Sequence, residues 1–522
     1  MNYGINKMQK LKEFVLYTKK YLSIDDAYAV MANAKAMGIN ERSMVETAGA
    51  AIAENLSRKH RNDRITFVCG PGGKGAIGMA AARHLMDIAD VQLAFLGNPD
   101  DIHSDSLKFN YRIAESIVDI EVIDSEGIGK LRSMLKKSDD VVDAIIGIGM
   151  HGRLGETMSR AIRAINDSNK YVISIDVPSG VNGDTGSKNI NAVAPDMLFA
   201  IHKMKSFLEK GKSDYSVNIL NTGIPTSVEL MTGPGDVMLA TKPRFINANK
   251  YEHGTVAVLG GSSDYRGAPM LSGMAAEHAL AALKTGSGYV TVISPEDSLV
   301  NEQRPMPELI LKTISKKRFS AEDIAEIKSV RHEAMVIGPG IKEDYFDYKG
   351  FSELLAYEKS ASKWIVADAA ALKMLSRYKN LIGSNMVLTP HTGEFKHLCG
   401  IDLSKRDLNS KIYTAIDFAK TYGCTLVLKG NDTIITDGTR LKINKAESPT
   451  LSTMGTGDVL AGIIASYISI NKGSLFESAA AGVYVHTQIG EMLNEEMGLH
   501  ATAYDVAVSI PRIIKEFDRI SY

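Results

Sequence analysis

A chain of 522 residues is too long for one ordinary core, and at roughly 150 residues per domain two large domains are expected. Hydrophobic residues at 44%, charged residues at 23% and a net charge of -1 are ordinary globular values and give no electrostatic ground for a nucleic-acid or anionic-membrane partner. A small-molecule enzyme fits that balance better, and Cys69, Cys399 and Cys424, far apart and forming no C-x-x-C, argue against a disulfide framework or a zinc site and for the reducing cytoplasm.

Residues 1–20 are lysine-rich but carry no apolar core or small-residue cleavage site, so they do not read as a signal peptide and are set apart as an N-terminal extension. Helical spacing in AYAVMANAKAM and SMVETAGAAIAENL predicts two helices before the strand RITFVCG. MAAARHLMDIA, DSLKFNYRIAES and SRAIRAIND then alternate as helices with the strands DVQLAFLG, DDVVDAIIG and YVISIDVPSG. Such alternation predicts a mostly parallel sheet with helices on both faces. GIPTSVELMTGPGDVMLATKPRF, rich in Pro, Gly and Thr, reads as a linker with its boundary near Gly233 to Asp236. It separates a domain over 21–232 from one over 236–522. The second domain shows HGTVAVLGG, an Ala-rich helix from Ala268 to Lys284, then GYVTVIS, EAMVIGPG, KWIVADAAAL, NMVLTP and CTLVLKG as strands, and three closing helices. The most apolar run, VLAGIIASYISI, is far short of the ~20 residues needed to span a bilayer.

CGPGGKGAIG, from Cys69 to Gly78, fits G-x-G-x-x-G twice. It follows a strand and leads into a helix, where free N–H groups and the positive helix end suit phosphate or pyrophosphate, although plain strand-to-helix turns share the spacing. No Ser or Thr follows Lys74, which excludes the magnesium-binding P-loop. The next strand ends with Gly97 and Asn98, where a dinucleotide dehydrogenase offers an acid. VVDAIIGIGMHGR and SIDVPSGVNGDTG end on the same rim, making Asp143 and Asp176 candidates for a shared cleft; taken singly, each is equally a loop cap.

In GINERSMVETAGAAIA, CGPG, the VDA-IG-G element, DVPSG-N-DTG and TGIP, the first 232 residues resemble the NAD(P)HX epimerase domain, which interconverts the epimers of hydrated NADH and NADPH. The resemblance implies a Rossmann-like three-layer α/β/α fold. It makes Asp176 a substrate-binding and acid/base group, and assigns Asp143 and Ser179 to a potassium ion. It also implies NAD(P)HX contacts at Gly73, Lys74, Gly75, Ala76 and Ile77 and at Gly147, Ile148, Gly149, Met150, His151, Gly152 and Arg153. The loop departs from the family's CGPGNNGGDG at Gly73, Lys74, Ala76 and Ile77. The family's second Asn, a potassium ligand, aligns with Lys74. The Lys74 ammonium is therefore expected to replace the cation, leaving an epimerase independent of potassium. The competing expectation is that the altered loop leaves a non-catalytic binding domain.

In the second domain, GTGD runs into the apolar helix of VLAGIIASYI, so the N–H groups of Thr456, Gly457 and Asp458 form either an anion hole or a plain helix cap. A carboxylate there can take the proton of a substrate hydroxyl during phosphoryl transfer. Lys429, after LVL, reads as a phosphate contact or a solvated charge; His391, near Glu394, as a substrate contact or a turn residue.

With GAP, TPH-GE, LKG and GTGDVLAG in the family's order, residues 236–522 look like the ADP- or ATP-dependent NAD(P)HX dehydratase domain, a ribokinase-like α/β fold. The resemblance implies Asp458 as catalytic base. Lys429, Gly430, Asn431, Asp432, Thr433 and Gly457 would contact the nucleotide, and Ala268, Gly340, His391 and Asp458 the hydrated cofactor. The family's DAD is DAA here, with Ala370 replacing the second acid while Asp368 remains, and TPHPGE is TPHTGE. The implied reaction uses magnesium and ADP or ATP, with fused prokaryotic forms favouring ADP, to restore NAD(P)H from the S epimer with release of AMP and phosphate. A homo-oligomer is expected. The alternatives are a ribokinase-like small-molecule kinase and a dehydratase joined to a silent first domain.

Overall fold

The computed structural model describes residues 10–521 except 151, 153, 210–213, 262–272, 297–308, 316–317, 343 and 447, and leaves out the side chains of 10, 273–277 and 321. Two compact units divide the chain: Lys19–Val228, and Met1–Thr18 together with Glu229–Tyr522.

In the unit Lys19–Val228, seven parallel strands form one sheet: β1 Arg64–Cys69, β2 Asp90–Leu96, β3 Ile120–Ile123, β4 Asp140–Ala144, β5 Tyr171–Ile175, β6 Met197–Ile201 and β7 Ser216–Leu220. Their order is β3-β2-β1-β4-β5-β6-β7. All five residues of β4 and the last five of β1 are buried, as expected of strands with helices on both faces. Helices α1 Ile24–Ala36 and α2 Glu41–Lys59 precede β1, and α3 Gly73–Leu85 follows it. The sequence pattern places α3 from Met79, but the glycine loop itself winds into the first two turns. Strands β3, β6 and β7 are additions to the expected set.

The other unit holds a nine-stranded sheet: β8 Thr255–Leu259, β9 Tyr289–Pro295, β10 Ile310–Ile314, β11 Ala334–Ile337, β12 Trp364–Ala367, β13 Met386–Leu388, β14 Thr425–Leu428, β15 Asp432–Thr436 and β16 Leu441–Lys445. The order is β10-β9-β8-β11-β12-β13-β14-β15-β16, parallel up to β14 and antiparallel beyond. The expectation of two α/β domains with mostly parallel sheets is met. Of the flanking helices, α4 Gly273–Thr285, α5 Leu408–Tyr422, α6 Thr456–Ile470 and α7 Leu475–Met497 bear on function. Nearly all of α6 is buried: Leu460, Ala461 and Ile464 pack with Val256, Val258 and Val336 from the sheet, and Val459 and Ile463 pack with Val485 and Ile489 of α7. The apolar run seen in the sequence is thus a core helix. Among the described residues no helix is long and apolar enough to cross a membrane.

The segment set apart as an extension has a place in this second core. Lys10–Tyr17 forms a 3-10 helix whose Leu11 and Phe14 are buried with Phe395 and Phe418. Phe14 lies 4.9 Å, ring to ring, from Tyr413 of α5. Tyr413 Oη donates to Glu13 Oε2 at 2.9 Å, and Asn409 Nδ2 donates to Glu13 Oε1. All three cysteines are free thiols.

Candidate active sites

Strands β1, β4 and β5 are adjacent in the sheet, so the loops CGPGGKG, AIIGIG and DVPSG leave from one rim, where ligands of parallel α/β sheets bind. A mostly apolar cavity of about 620 Å³ opens there, lined among others by Gly73, Lys74, Ile77, Gly147, Ile148, Gly149 and Asp176. The glycines of the loop have two different uses. A Cβ on Gly75 would lie 1.9 Å from the Gly70 carbonyl oxygen, whereas one on Gly73 would meet nothing within 4 Å. Gly75 lets the loop fold on itself, and Gly73 leaves room for a ligand. Gly75, Ala76, Met150 and Gly152 do not line the cavity; Met150 Sδ instead accepts a hydrogen bond from Asn189. His151 and Arg153 lie outside the described residues.

Lys74, in the first turn of α3, turns inward. Its Nζ donates to Asp143 Oδ2 at 2.9 Å, the Val177 carbonyl at 2.8 Å and Ser179 Oγ at 3.1 Å, with the Ile146 carbonyl at 3.4 Å. Asp143, fully buried at the end of β4, is also held by Ser174 Oγ, Ser179 Oγ and the N–H groups of Ser179 and Ile145. Burial holds Lys74 below the ordinary lysine pKa, while the charge of Asp143 acts in the opposite sense.

Asp176 begins the loop after β5 with φ of 63°, a left-handed conformation that costs a non-glycine residue on the order of 1 kcal/mol and recurs at functional sites. Its Oδ1 accepts from the Ile201 N–H at 3.0 Å and from Lys205 Nζ at 2.6 Å. Lys205 also lines the cavity and is itself buried.

The second site forms at the head of α6. Gly455, with φ of 89°, turns the chain into the helix, and Asp458 lies in its first turn with 6% of its surface exposed. Asp458 Oδ2 is buried without a hydrogen-bond partner, and Oδ1 lies 3.8 Å from His278 Nε2 on α4. Burial first, and then the charge of Asp368, pushes Asp458 up to about 8. Lys429, just after β14, donates to Asp368 Oδ1 at 3.2 Å. Burial opposes its charge, but Asp368 and Glu394 together hold it above the ordinary lysine value. A Cβ on Gly457 would lie 3.3 Å from Lys429 Nζ, so the bare helix start and the ammonium face each other.

His391 bridges to Lys429 through the backbone, and its Nδ1 accepts from the N–H groups of Gly393 and Glu394, capping the next helix with its ring still largely exposed. Gly430 and Thr433 close the tight turn carrying Asn431 and Asp432. Gly340, with φ of 65°, follows β11 beside Gly261. Ala268 lies outside the described residues. Asp368, Lys429, Gly457 and Asp458 are thus drawn into one cluster.

Two family models match the chain: YjeF-related protein N-terminus over residues 41–207 and NAD(P)H-hydrate dehydratase over residues 256–512. The bifunctional NAD(P)H-hydrate repair enzyme Nnr of Pyrobaculum aerophilum is 32% identical over 502 residues, covering 94% of this chain and 97% of that protein. The chain belongs to the bifunctional NAD(P)H-hydrate repair enzyme family. Within that family the Methanothermobacter thermautotrophicus protein is 30% identical, over 94% of each chain. Among solved structures, a ribokinase-like superfamily protein of Enterococcus faecalis aligns with 54% of this chain and 95% of its own at 23% identity and a TM-score of 0.45. The ADP/ATP-dependent NAD(P)H-hydrate dehydratase of Bacillus subtilis, co-crystallised with ATP and magnesium, aligns with 54% of this chain and 96% of its own, at 23% identity and a TM-score of 0.42.

Lys205 and His278 escaped the sequence reading. Lys205 sits in KMKSF beyond an unrecognised strand, and His278 is one polar residue within an Ala-rich helix. Neither has a motif around it; both acquire meaning only from the carboxylate that the fold brings opposite.

Proposed function

We propose that this chain repairs hydrated NADH and NADPH, with epimerisation of the R and S forms in the cavity of unit Lys19–Val228 and nucleotide-dependent dehydration of the S form at the head of α6. The observation that carries the reading is the pair of placed carboxylates, Asp176 in the cavity and Asp458 beside Lys429.

In the first site the ring hydroxyl gives its proton to Asp176, the carbon–nitrogen bond opens to an aldehyde, and the ring nitrogen takes that proton. Rotation of the aldehyde before the reverse steps inverts the centre. The potassium ion implied by the resemblance does not fit these residues. Asp143 and Ser179 already face the Lys74 ammonium, and a second cation in that cage would meet a like charge. Lys74 is therefore read as the resident cation.

In the second site Asp458 in its ionised form, which the charge of Lys429 favours, takes the proton of the substrate hydroxyl, whose oxygen attacks the terminal phosphoryl group of ADP, or of ATP, and AMP or ADP leaves. The phosphate ester then expels phosphate as the ring nitrogen lends its electron pair, and loss of a proton from the neighbouring ring carbon restores the dihydronicotinamide of NAD(P)H. The N–H groups at the start of α6 and the Lys429 ammonium receive the negative charge that develops. Asp368 is buried, and its carboxylate lies within 4.8 Å of ligand atoms of Asp458 and His278, which provides the oxygen donors magnesium needs. Asp368 would hold the ion, which when bound supplies charge neutralisation to the phosphates.

The test is recovery of NADH absorbance from mixed NADHX epimers with magnesium and ADP or ATP. Complete recovery, faster than spontaneous epimerisation, is expected. Recovery that stops after one epimer would leave only the dehydratase, and a stable phosphorylated product would mark a small-molecule kinase.

A further inference from the structure

Asp176 is constrained in one direction only. Its Oδ1 takes both hydrogen bonds, from the Ile201 N–H and from Lys205 Nζ, while Oδ2 accepts none among the described residues. The Lys205 ammonium has three N–H groups and three acceptors: Asp176 Oδ1 at 2.6 Å, the Ile201 carbonyl at 3.1 Å and the Lys203 carbonyl at 3.1 Å. Each of its protons is committed, so Lys205 itself has none to offer a ligand. It is an anchor, bound to the backbone beyond β6 on one side and to a single carboxylate oxygen on the other.

A staple that served only the fold would not need a cavity. This pair lines one, and the lysine side chain is 3% exposed, so an ammonium has been desolvated at the wall of a ligand-sized space. Burying an ion pair seldom improves stability over apolar packing of the same volume. The return is geometric. The left-handed backbone of Asp176 aims the side chain, and Lys205 fixes its rotation by holding Oδ1. Lys74 secures the following peptide through the Val177 carbonyl. Three separate devices therefore converge on one carboxylate and leave one oxygen free.

We propose that Lys205 is the positioning residue of the epimerisation reaction, clamping Asp176 Oδ1 so that Oδ2 stands alone as the proton-transfer atom. The proposal deepens the epimerase reading above and rests on it.

The test follows interconversion of separated R- and S-NADHX by the full chain, with no nucleotide present, in the wild type and in Asp176→Asn, Lys205→Met and Lys205→Arg. Expected are loss of activity in Asp176→Asn and a fall in kcat of about 100-fold in Lys205→Met, the cost of letting a reacting group drift. KM should stay within about threefold, since the three Lys205 protons are committed to protein acceptors and none is left to bind substrate. Lys205→Arg keeps the charge with altered reach, and its kcat should fall about tenfold. If Lys205→Met does not fold, as judged by thermal unfolding, Lys205→Arg carries the test alone. Wild-type kcat in the folded Lys205 variants, or a loss that lies wholly in KM, overturns the clamp while leaving the epimerase reading intact. A wild-type chain that does not interconvert the epimers overturns both.

Discussion

Lys74 Nζ lies 2.9 Å from Asp143 Oδ2, with the Val177 carbonyl and Ser179 Oγ completing its contacts, so a covalently attached ammonium stands where the family resemblance implies a potassium ion. A tethered cation cannot dissociate. Exchange of potassium for sodium or choline should leave the epimerisation rate unchanged. Lys74→Asn, which restores the family's residue, should make the rate depend on potassium by at least about tenfold. A wild-type rate that climbs steeply with potassium would refute this.

Removal of the ammonium has a second effect. Asp143 is fully buried, and Lys74→Met would strand its charge, at a cost of roughly 3–5 kcal/mol. Denaturant unfolding of this variant should show the loss, and Lys74→Met/Asp143→Asn should recover a large part of it.

The glycine loop offers a paired comparison. Gly75→Ala places a methyl group 1.9 Å from the Gly70 oxygen and should destabilise by about 1–3 kcal/mol or more, whereas Gly73→Ala points into open space. Thermal melting should therefore separate the two, with Gly73→Ala folded like the wild type and impaired only in NADHX binding.

Asp458, raised to about 8 from 3.8, keeps in the ligand-free folded state a proton that the unfolded chain has lost. A carboxyl group raised on folding lowers stability progressively as pH climbs from its unfolded value toward about 8, and no further above it. Asp458→Asn should thus melt higher than the wild type near pH 8, by a few kcal/mol at most, with the difference closing toward about pH 4. Thermal scans without nucleotide or metal decide it; a difference that is the same at both ends of the range would contradict the assignment.

Periodicity and punctuation were enough to place most of both sheets, because β1, β2, β4, β5, β8 and β11 are short apolar runs ending in Gly, Asp or Pro. They also brought out Asp176 and Asp458, whose motifs sit at strand and helix ends. What stayed hidden has little local signature. Ile120–Ile123 and Ser216–Leu220 are partly exposed edge strands, and Met197–Ile201 is a five-residue apolar run that periodicity alone does not classify. Lys205 meets Asp176 across 29 residues, and His278 meets Asp458 across a much longer span. The number of acceptors around Lys74 likewise emerges only when β4, β5 and α3 are assembled.

Leu11 and Phe14 complete a core whose remaining walls come from residues after Glu229. The unit Lys19–Val228 is in effect spliced into its neighbour. During synthesis the ribosome releases this small wedge first, then the whole spliced-in unit, and only afterwards the segments that receive the wedge. Lys19–Val228 can close early as a continuous stretch of chain, whereas the other unit must recruit a piece made hundreds of residues before. A dehydratase fragment cut at residue 229 would lack that piece, and one that carries residues 10–18 back, by fusion or as an added peptide, would have it restored.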